Sequence, residues 1–391
     1  MDQSRLRHRY TYAMLFYVVG FAISITIISG LLSDLVEAFH IPPRLEGSMS
    51  TTASIGSLLS LVAMLFLQGR VRKDKILTLS AALVVLMLVC KGFAPDYGVL
   101  LVCFFLFGIG VGFIDGNCNA FIVDLNGAEA GRYLGALHAF SGLGALLAPL
   151  FIQWVRGQLT WRATYFVLAA VVAVPYGVFA LTGLYMKKRL RAEAHTEARL
   201  TLRDVREYVT DRENIIILLA LFLYTCSFNG LIVWIIRYMK VVLNDTVHGA
   251  WALAAYWVFA ALSRFFAPRL KLPPRKLLLF GVPIGAAALL LGLVTRNPAV
   301  IIVCCGIDGL LSGHGVPTLI TMGCARYRDR SSLPSSLLVI MMYLAFAAMP
   351  AAMAAVAAAS SLQQSMYLSV FCALASALVA LLLPRRAGAR A

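Results

Sequence analysis

"LVCFFLFGIGVGFIDGNCNAFIVD", residues 101–124, is apolar along nearly its whole length yet holds Asp115, Asn117 and Asn119 in its interior. At about 1.5 Å per residue such a run crosses a hydrocarbon layer as one helix. No strand precedes its glycines and no soluble βαβ unit contains them, so "GIGVG" is not a nucleotide loop. A carboxylate at bilayer depth costs about 2.5–3.5 kcal/mol on insertion scales. It is therefore expected to face a water-filled cavity or a partner, or to carry a proton. Asp115 and Asn119 are four residues apart and share a helix face. Asn117 points about 200° away from Asn119, so one of the two amides lines the cavity. Gly108, Gly112 and Gly116 form a ridge that lets a neighbouring span approach closely.

Working outward, the whole chain has the same character. Its 391 residues are 61% hydrophobic and 13% charged, against about 25% charged in a soluble domain. The expected fold is an all-α membrane protein with twelve transmembrane helices in two pseudo-symmetric six-helix bundles. Apolar runs place the spans near 10–32, 48–68, 76–94, 98–123, 133–155, 162–186, 214–237, 247–267, 277–295, 298–322, 333–357 and 361–383. The basic start "RLRHRY" leads into a run too long for the apolar core of a cleavable leader, so it is taken as the first span.

The formal net charge is +16, but the basic residues lie in short clusters between spans, which points to topology and an anionic membrane surface. No polar domain exists to hold nucleic acid. Alternating sides from the N-terminus puts 27 of the 34 lysines and arginines on one side. Both termini are therefore expected in the cytoplasm, with the chain multi-pass in the plasma membrane. "KKRLRAEAHTEARLTLRDVREYVTDREN" is the long polar stretch, taken as a solvated amphipathic linker along the membrane face. It divides the chain into an N-terminal bundle, 1–186, a linker, 187–213, and a C-terminal bundle, 214–391. The halves echo each other: Gly69 and Ala267, and Arg132 and Arg330, each stand 198 positions apart. Such a repeat suits a transporter whose halves rock about a site near the midplane.

The eight cysteines sit in or beside apolar runs without C-x-x-C spacing, so neither a metal site nor a disulfide framework is expected. No cofactor motif is present.

On these features the chain resembles the major facilitator superfamily. Gly69, Arg70, Arg72 and Lys73 resemble part of its loop signature after span two, with Lys73 where that pattern has an acid. "GIGVGFIDGNCNAF" followed by "GRYLGALHAFSGLGALLAP" is similar to the fucose–proton symporter branch. That resemblance implies Asp115 as the proton-titrating acid, Asn119 as a solute-binding amide, Arg132 as the loop arginine, and His138 near the solute. The spacing of Gly135, Gly144 and Pro149 also resembles part of the pattern of drug–proton antiporters.

The residues themselves extend this list. Asp308 and His314 in "CCGIDGLLSGHGVPT" parallel Asp115 in the second half, and the glycines with Pro317 make that span a bent, gating element. His138 could pair with Asp115 across spans four and five. Proton coupling is therefore assigned to Asp115, His138 and Asp308. Solute binding is assigned to Asn117, Asn119, Tyr17, Phe21, Tyr224, Phe228, Asn229 and His314, since aromatic faces and amides suit a sugar ring or a flat molecule. Gly108, Gly112, Gly116, Gly144, Pro149 and Pro317 are assigned to gating and packing. The sequence favours a monomeric secondary transporter moving a sugar-like solute with protons by alternating access. The alternatives are proton-driven efflux of drug-like amphipathic compounds and a transport-inactive membrane sensor. A converging catalytic cluster is absent from the sequence, so an enzyme is not expected.

Overall fold

The computed structural model describes residues 3–67, 71–126, 130–186, 202–270, 272–324 and 332–383. Among them all regular structure is helical, as expected where lipid cannot satisfy an open sheet edge. In chain order the helices are α1 (Gln3–Ala38), α2 (Ser48–Leu67), α3 (Lys73–Phe93), α4 (Tyr97–Asn126), α5 (Ala130–Gln158), α6 (Trp161–Met186), α7 (Leu202–Thr210) and α8 (Arg212–Val242). They continue with α9 (His248–Phe266), α10 (Pro274–Thr295), α11 (Pro298–Ser312), α12 (Gly315–Cys324), α13 (Ser332–Ala359) and α14 (Leu362–Ala380). Capping residues set several of the boundaries. Asp211 accepts the backbone N–H groups of Glu213 and Asn214 to open α8, and Asn297 does the same for α11 ahead of Pro298.

Eleven helical segments are long and apolar enough to cross a membrane, judged by length and composition among the described residues. The twenty-residue α2 is not one of the eleven, while α11 and α12 together form one of them, Pro298–Cys324. The expected single helix over 298–322 is thus broken in two.

Contacts sort the chain into two compact units. The first is Met1–Leu35 with Thr52–Arg199, the second Val36–Thr51 with Leu200–Ala391. In the first unit α3 packs on α4 and α6, and α4 on α5. At one end Lys73 Nζ meets Asp124 at 2.9 Å, while Arg156 grips Asp34 at the far ends of α5 and α1. In the second unit α8 packs against α14, α13, α9 and α12, and α11 against α9 and α10.

The segment 36–51, assigned from sequence to the first bundle, makes its contacts within the second unit. Glu46 is 5% exposed and forms a two-pronged ion pair with Arg237. Thr51 Oγ1 donates to Ala347 O at 2.7 Å, and Gly47 lies against Pro350 with no room for a Cβ. Arg237 lies near the end of α8, where the buried Glu46 carboxylate holds it. Most described residues of the linker helix, Arg203, Arg206, Glu207, Val209 and Thr210, are exposed. Within its described part, α7 buries Tyr208 completely.

Candidate functional site

In the second unit the site grows from the break between α11 and α12. An interrupted helix leaves carbonyl and N–H groups without intrahelical partners, which must be satisfied before they are buried. Neighbouring helices supply the partners. Tyr224 of α8 donates its hydroxyl to Ser312 O at 2.5 Å, and Arg264 of α9 donates Nε–H to Gly313 O at 3.1 Å. The His314 N–H donates to Ser263 Oγ, also of α9, at 3.1 Å. Pro317 lies in the first turn of α12, where its missing N–H would have had no acceptor, so it starts the second half-helix.

Two ionisable side chains flank this break. Asp308 is 7% exposed, one turn before α11 ends, and the Ser312 hydroxyl lies 2.9 Å from its Oδ1 and 2.7 Å from its carbonyl. His314 is 4% exposed and its Nδ1 lies 3.2 Å from Thr318 Oγ1. Space for both comes from glycines of α10. A Cβ on Gly285 would stand 2.6 Å from Asp308 Oδ1, and one on Gly281 would stand 3.1 Å from His314 Nε2. The arrangement brings a carboxyl, an imidazole, two hydroxyls and freed backbone groups together inside an apolar unit.

From Tyr224 an aromatic run extends across α8 to α13. Ring centroids are 5.6 Å apart for Tyr224–Phe228, 5.9 Å for Phe228–Phe346 and 5.2 Å for Phe346–Tyr343. Phe228 and Phe346 are half-buried. Asn229, next in sequence to Phe228, is buried with its Nδ2 lacking a hydrogen-bond partner among the described residues. Unsatisfied buried donors are few in folded proteins. Tyr343 and Phe346 were absent from the sequence assignment because aromatic residues are common in any span.

In the first unit α4 lies against α2 at the glycine ridge. A Cβ on Gly108 would collide with the Ala53 backbone, one on Gly112 with Ser57 and Ser60, and one on Gly116 would stand 3.0 Å from Leu61. Ser57 Oγ donates across this contact to Gly108 O at 2.8 Å. Asp115 is half-buried, Asn119 exposed and Asn117 fully buried. Asn117 Nδ2 is occupied, at 2.7 Å from Phe113 O and 3.2 Å from Met64 Sδ, so Asn119 is the amide left at a surface. His138 is exposed on α5. Gly144 packs on Val19, its Cβ position 2.7 Å from Val19 O, and Pro149 lies inside α5.

Other assigned residues fall elsewhere. Tyr17 is wholly buried, donates its hydroxyl to Leu77 O at 2.9 Å, and packs on Tyr176 and Phe179. Phe21 is 7% exposed. These two are core residues of the first unit and not an open platform, because their helix face meets α3 and α6. Arg72 pairs with Asp74 at 2.7 Å and Lys73 with Asp124. Gly69 and Arg70 lie outside the described residues, as does the side chain of Arg132.

Lys91 lies within the span expected over 76–94. It is fully buried on α3, with Nζ 3.7 Å and 3.6 Å from the ring centroids of Phe104 and Phe107 and 5.9 Å from that of Tyr165. Its ammonium has no hydrogen-bond partner among the described residues. The π faces of three rings take the place of a carboxylate. No local signal marks such a cage, since its members come from α3, α4 and α6.

The model of the Major Facilitator Superfamily matches residues 14–270. The chain belongs to the major facilitator superfamily. It is therefore a multi-pass membrane protein of a transporter family and not an enzyme.

Structures of this superfamily are similar over nearly the whole chain. One is a bacterial homolog of the human lysosomal transporter Spinster, inward-facing and unoccupied, with TM-score 0.78 and 16% identity, covering 98% of each chain. Another is the nucleoside transporter NupG, as a point mutant, with TM-score 0.79 and 9% identity, covering 97% of this chain and 99% of that one. At such identities the likeness is one of fold. A curated relative, the Caenorhabditis elegans protein svop-1, described as a candidate transporter, is 27% identical over 134 residues, 34% of this chain. The chain spans 25% of the length of that relative.

Proposed function

We propose that the chain is a twelve-span secondary active transporter that moves a small, sugar-like solute together with protons by alternating access. It works as a monomer in the plasma membrane with both termini cytoplasmic. The observation that carries this is Asp308, a carboxyl buried in an apolar helix one turn before that helix breaks. A permanently ionised carboxylate is costly there. A break supplies both room to move and polar groups to receive a proton or solute. Asp115, half-buried on the glycine-ridged α4, is the corresponding acid of the first unit. His314, hydrogen-bonded to Thr318, is positioned to hand protons on at the break. The solute meets the Phe228–Phe346 faces and the free amide of Asn229. Stacking faces plus a few aimed amides suit an uncharged ring bearing hydroxyls.

The test is proton flux in proteoliposomes driven by monosaccharides, nucleosides and cationic amphiphiles in turn. A monosaccharide is expected to drive inward proton movement, with Asp308→Asn and Asp115→Asn each reducing it at least tenfold. Flux that survives both substitutions overturns the coupling, and flux driven by amphiphiles alone overturns the solute class.

A further inference from the structure

We infer that Tyr208, in the short helix α7 of the central linker, is a positioning residue that holds the far end of α12 in the broken span. The inference goes beyond the transport proposal and does not need a known solute to be tested.

It begins with how α12 is held. This ten-residue half-helix is about 15 Å long. At its start, Tyr224, Ser263 and Arg264 bind the backbone of the break. At its other end the penultimate residue is Gly323, where a Cβ would stand 2.8 Å from Leu338 Cδ1, 3.1 Å from Tyr208 Oη and 3.5 Å from Ile217 Cγ2. The Leu338 methyl and the Tyr208 hydroxyl together take up the space that a side chain here would need. Its hydroxyl is 3.5 Å from Gly323 O, at the long limit of a hydrogen bond, so the contact acts mainly through shape.

Tyr208 is itself anchored. The ring is completely buried, and its carbonyl accepts a hydrogen bond from Asn214 Nδ2 at 3.1 Å. Asn214 sits in the first turn of α8, whose start is capped by Asp211. Arg203, Arg206 and Glu207 of α7 remain exposed. A linker helix merely resting on lipid headgroups would keep its tyrosine at the interface, where an amphipathic ring is most stable. Burying it against a glycine fixes α7 and the α8 corner to the end of α12. Tilting α12 by 10° about Gly313–His314 would move Gly323 by about 2.5 Å, given the length of the half-helix. A shift of that size breaks the Tyr208 contact, so α12 pivots only if α7 undocks or follows it.

The experiment uses the full chain in nanodiscs and follows amide hydrogen exchange together with alkylation of the native Cys324, at the end of α12, read by mass spectrometry. Tyr208→Ala is expected to raise Cys324 alkylation at least fivefold and to speed exchange in 202–210 and 315–324, with 73–93 of the first unit unchanged. Tyr208→Phe, which keeps the buried ring but removes the hydroxyl that meets Gly323, should raise alkylation at least twofold yet less than Tyr208→Ala. Gly323→Ala should mimic Tyr208→Ala, because its methyl would stand 2.8 Å from Leu338 Cδ1 and 3.1 Å from the Tyr208 hydroxyl and push both away. Unchanged exchange and alkylation in both Tyr208→Ala and Gly323→Ala overturns the inference. So does faster exchange throughout the second unit, which would make Tyr208 an ordinary core residue.

Discussion

Two side chains show how environment decides what a charge does. Lys91 gives up its hydration for three aromatic faces. Desolvated cation–π contacts contribute about 2 kcal/mol or more, whereas removing an ammonium from water costs several kcal/mol. An apolar residue of similar length should therefore fit at least as well. Lys91→Met is expected to leave the melting temperature unchanged or higher. Lys91→Ala, which empties the cage, should lose about 2–5 kcal/mol. Thermal unfolding in detergent checks both, and a large loss in Lys91→Met would show that the charge itself stabilises the unit. Asp245, in the connection before α9, behaves differently. Burial pushes its carboxyl up, but hydrogen bonds from the His248 N–H and ring and from the Val247 N–H outweigh this and hold it below the ordinary carboxylate range. The folded state thus favours the ionised form. The stabilisation is complete above the unfolded value near 3.9 and is lost as pH falls through the lowered folded value. Asp245→Asn should melt lower than the parent at pH 7, and the gap should close below about pH 4.

At the scale of elements, the glycine ridge on α4 and the break in α11–α12 divide the work between close packing and freedom. Gly108→Val places branched carbons into the Ala53 backbone and is expected to cost about 3 kcal/mol, the upper range for overpacking. Gly157→Ala, near the end of α5 with nothing within 4 Å, is the control and should be neutral or mildly stabilising. Equal melting temperatures for the two variants would contradict the close α2–α4 approach. The ridge could be recognised in the sequence because its spacing of four is the helix repeat itself. The break was legible only as a glycine-rich, bendable span. Where it falls depends on partners from α8 and α9, since an unsatisfied carbonyl is tolerated only where Tyr224 and Arg264 reach it. Tyr17 and Phe21 show the reverse case. Nothing in span one says which neighbour its aromatic face meets, and that face is buried against α3 and α6.

At the scale of the molecule, the segment 36–51 is the clearest departure from the order of the chain. The Glu46–Arg237 pair is nearly buried, so losing one partner leaves the other charge stranded, at a cost on the order of 3 kcal/mol. Glu46→Gln should show that loss, and the double variant Glu46→Leu/Arg237→Leu should recover most of it, as a double-mutant cycle in thermal unfolding will reveal. Sidedness is tested separately. In a chain lacking its eight native cysteines, an impermeant maleimide added to intact cells should label Thr246→Cys and spare Thr210→Cys; the opposite pattern would invert the proposed topology. The sequence alone determined the solvent class, the helical elements, their approximate limits and the placement of the acids, because each follows from how a local run of side chains partitions between lipid and water. Tertiary structure alone decided which polar groups meet, including Asp308 beside the α10 glycines, Lys91 in its cage, Tyr208 on Gly323 and Glu46 on Arg237. In lipid every face of a span is apolar, so periodicity barely distinguishes inside from outside, and partners are chosen by how helices pack.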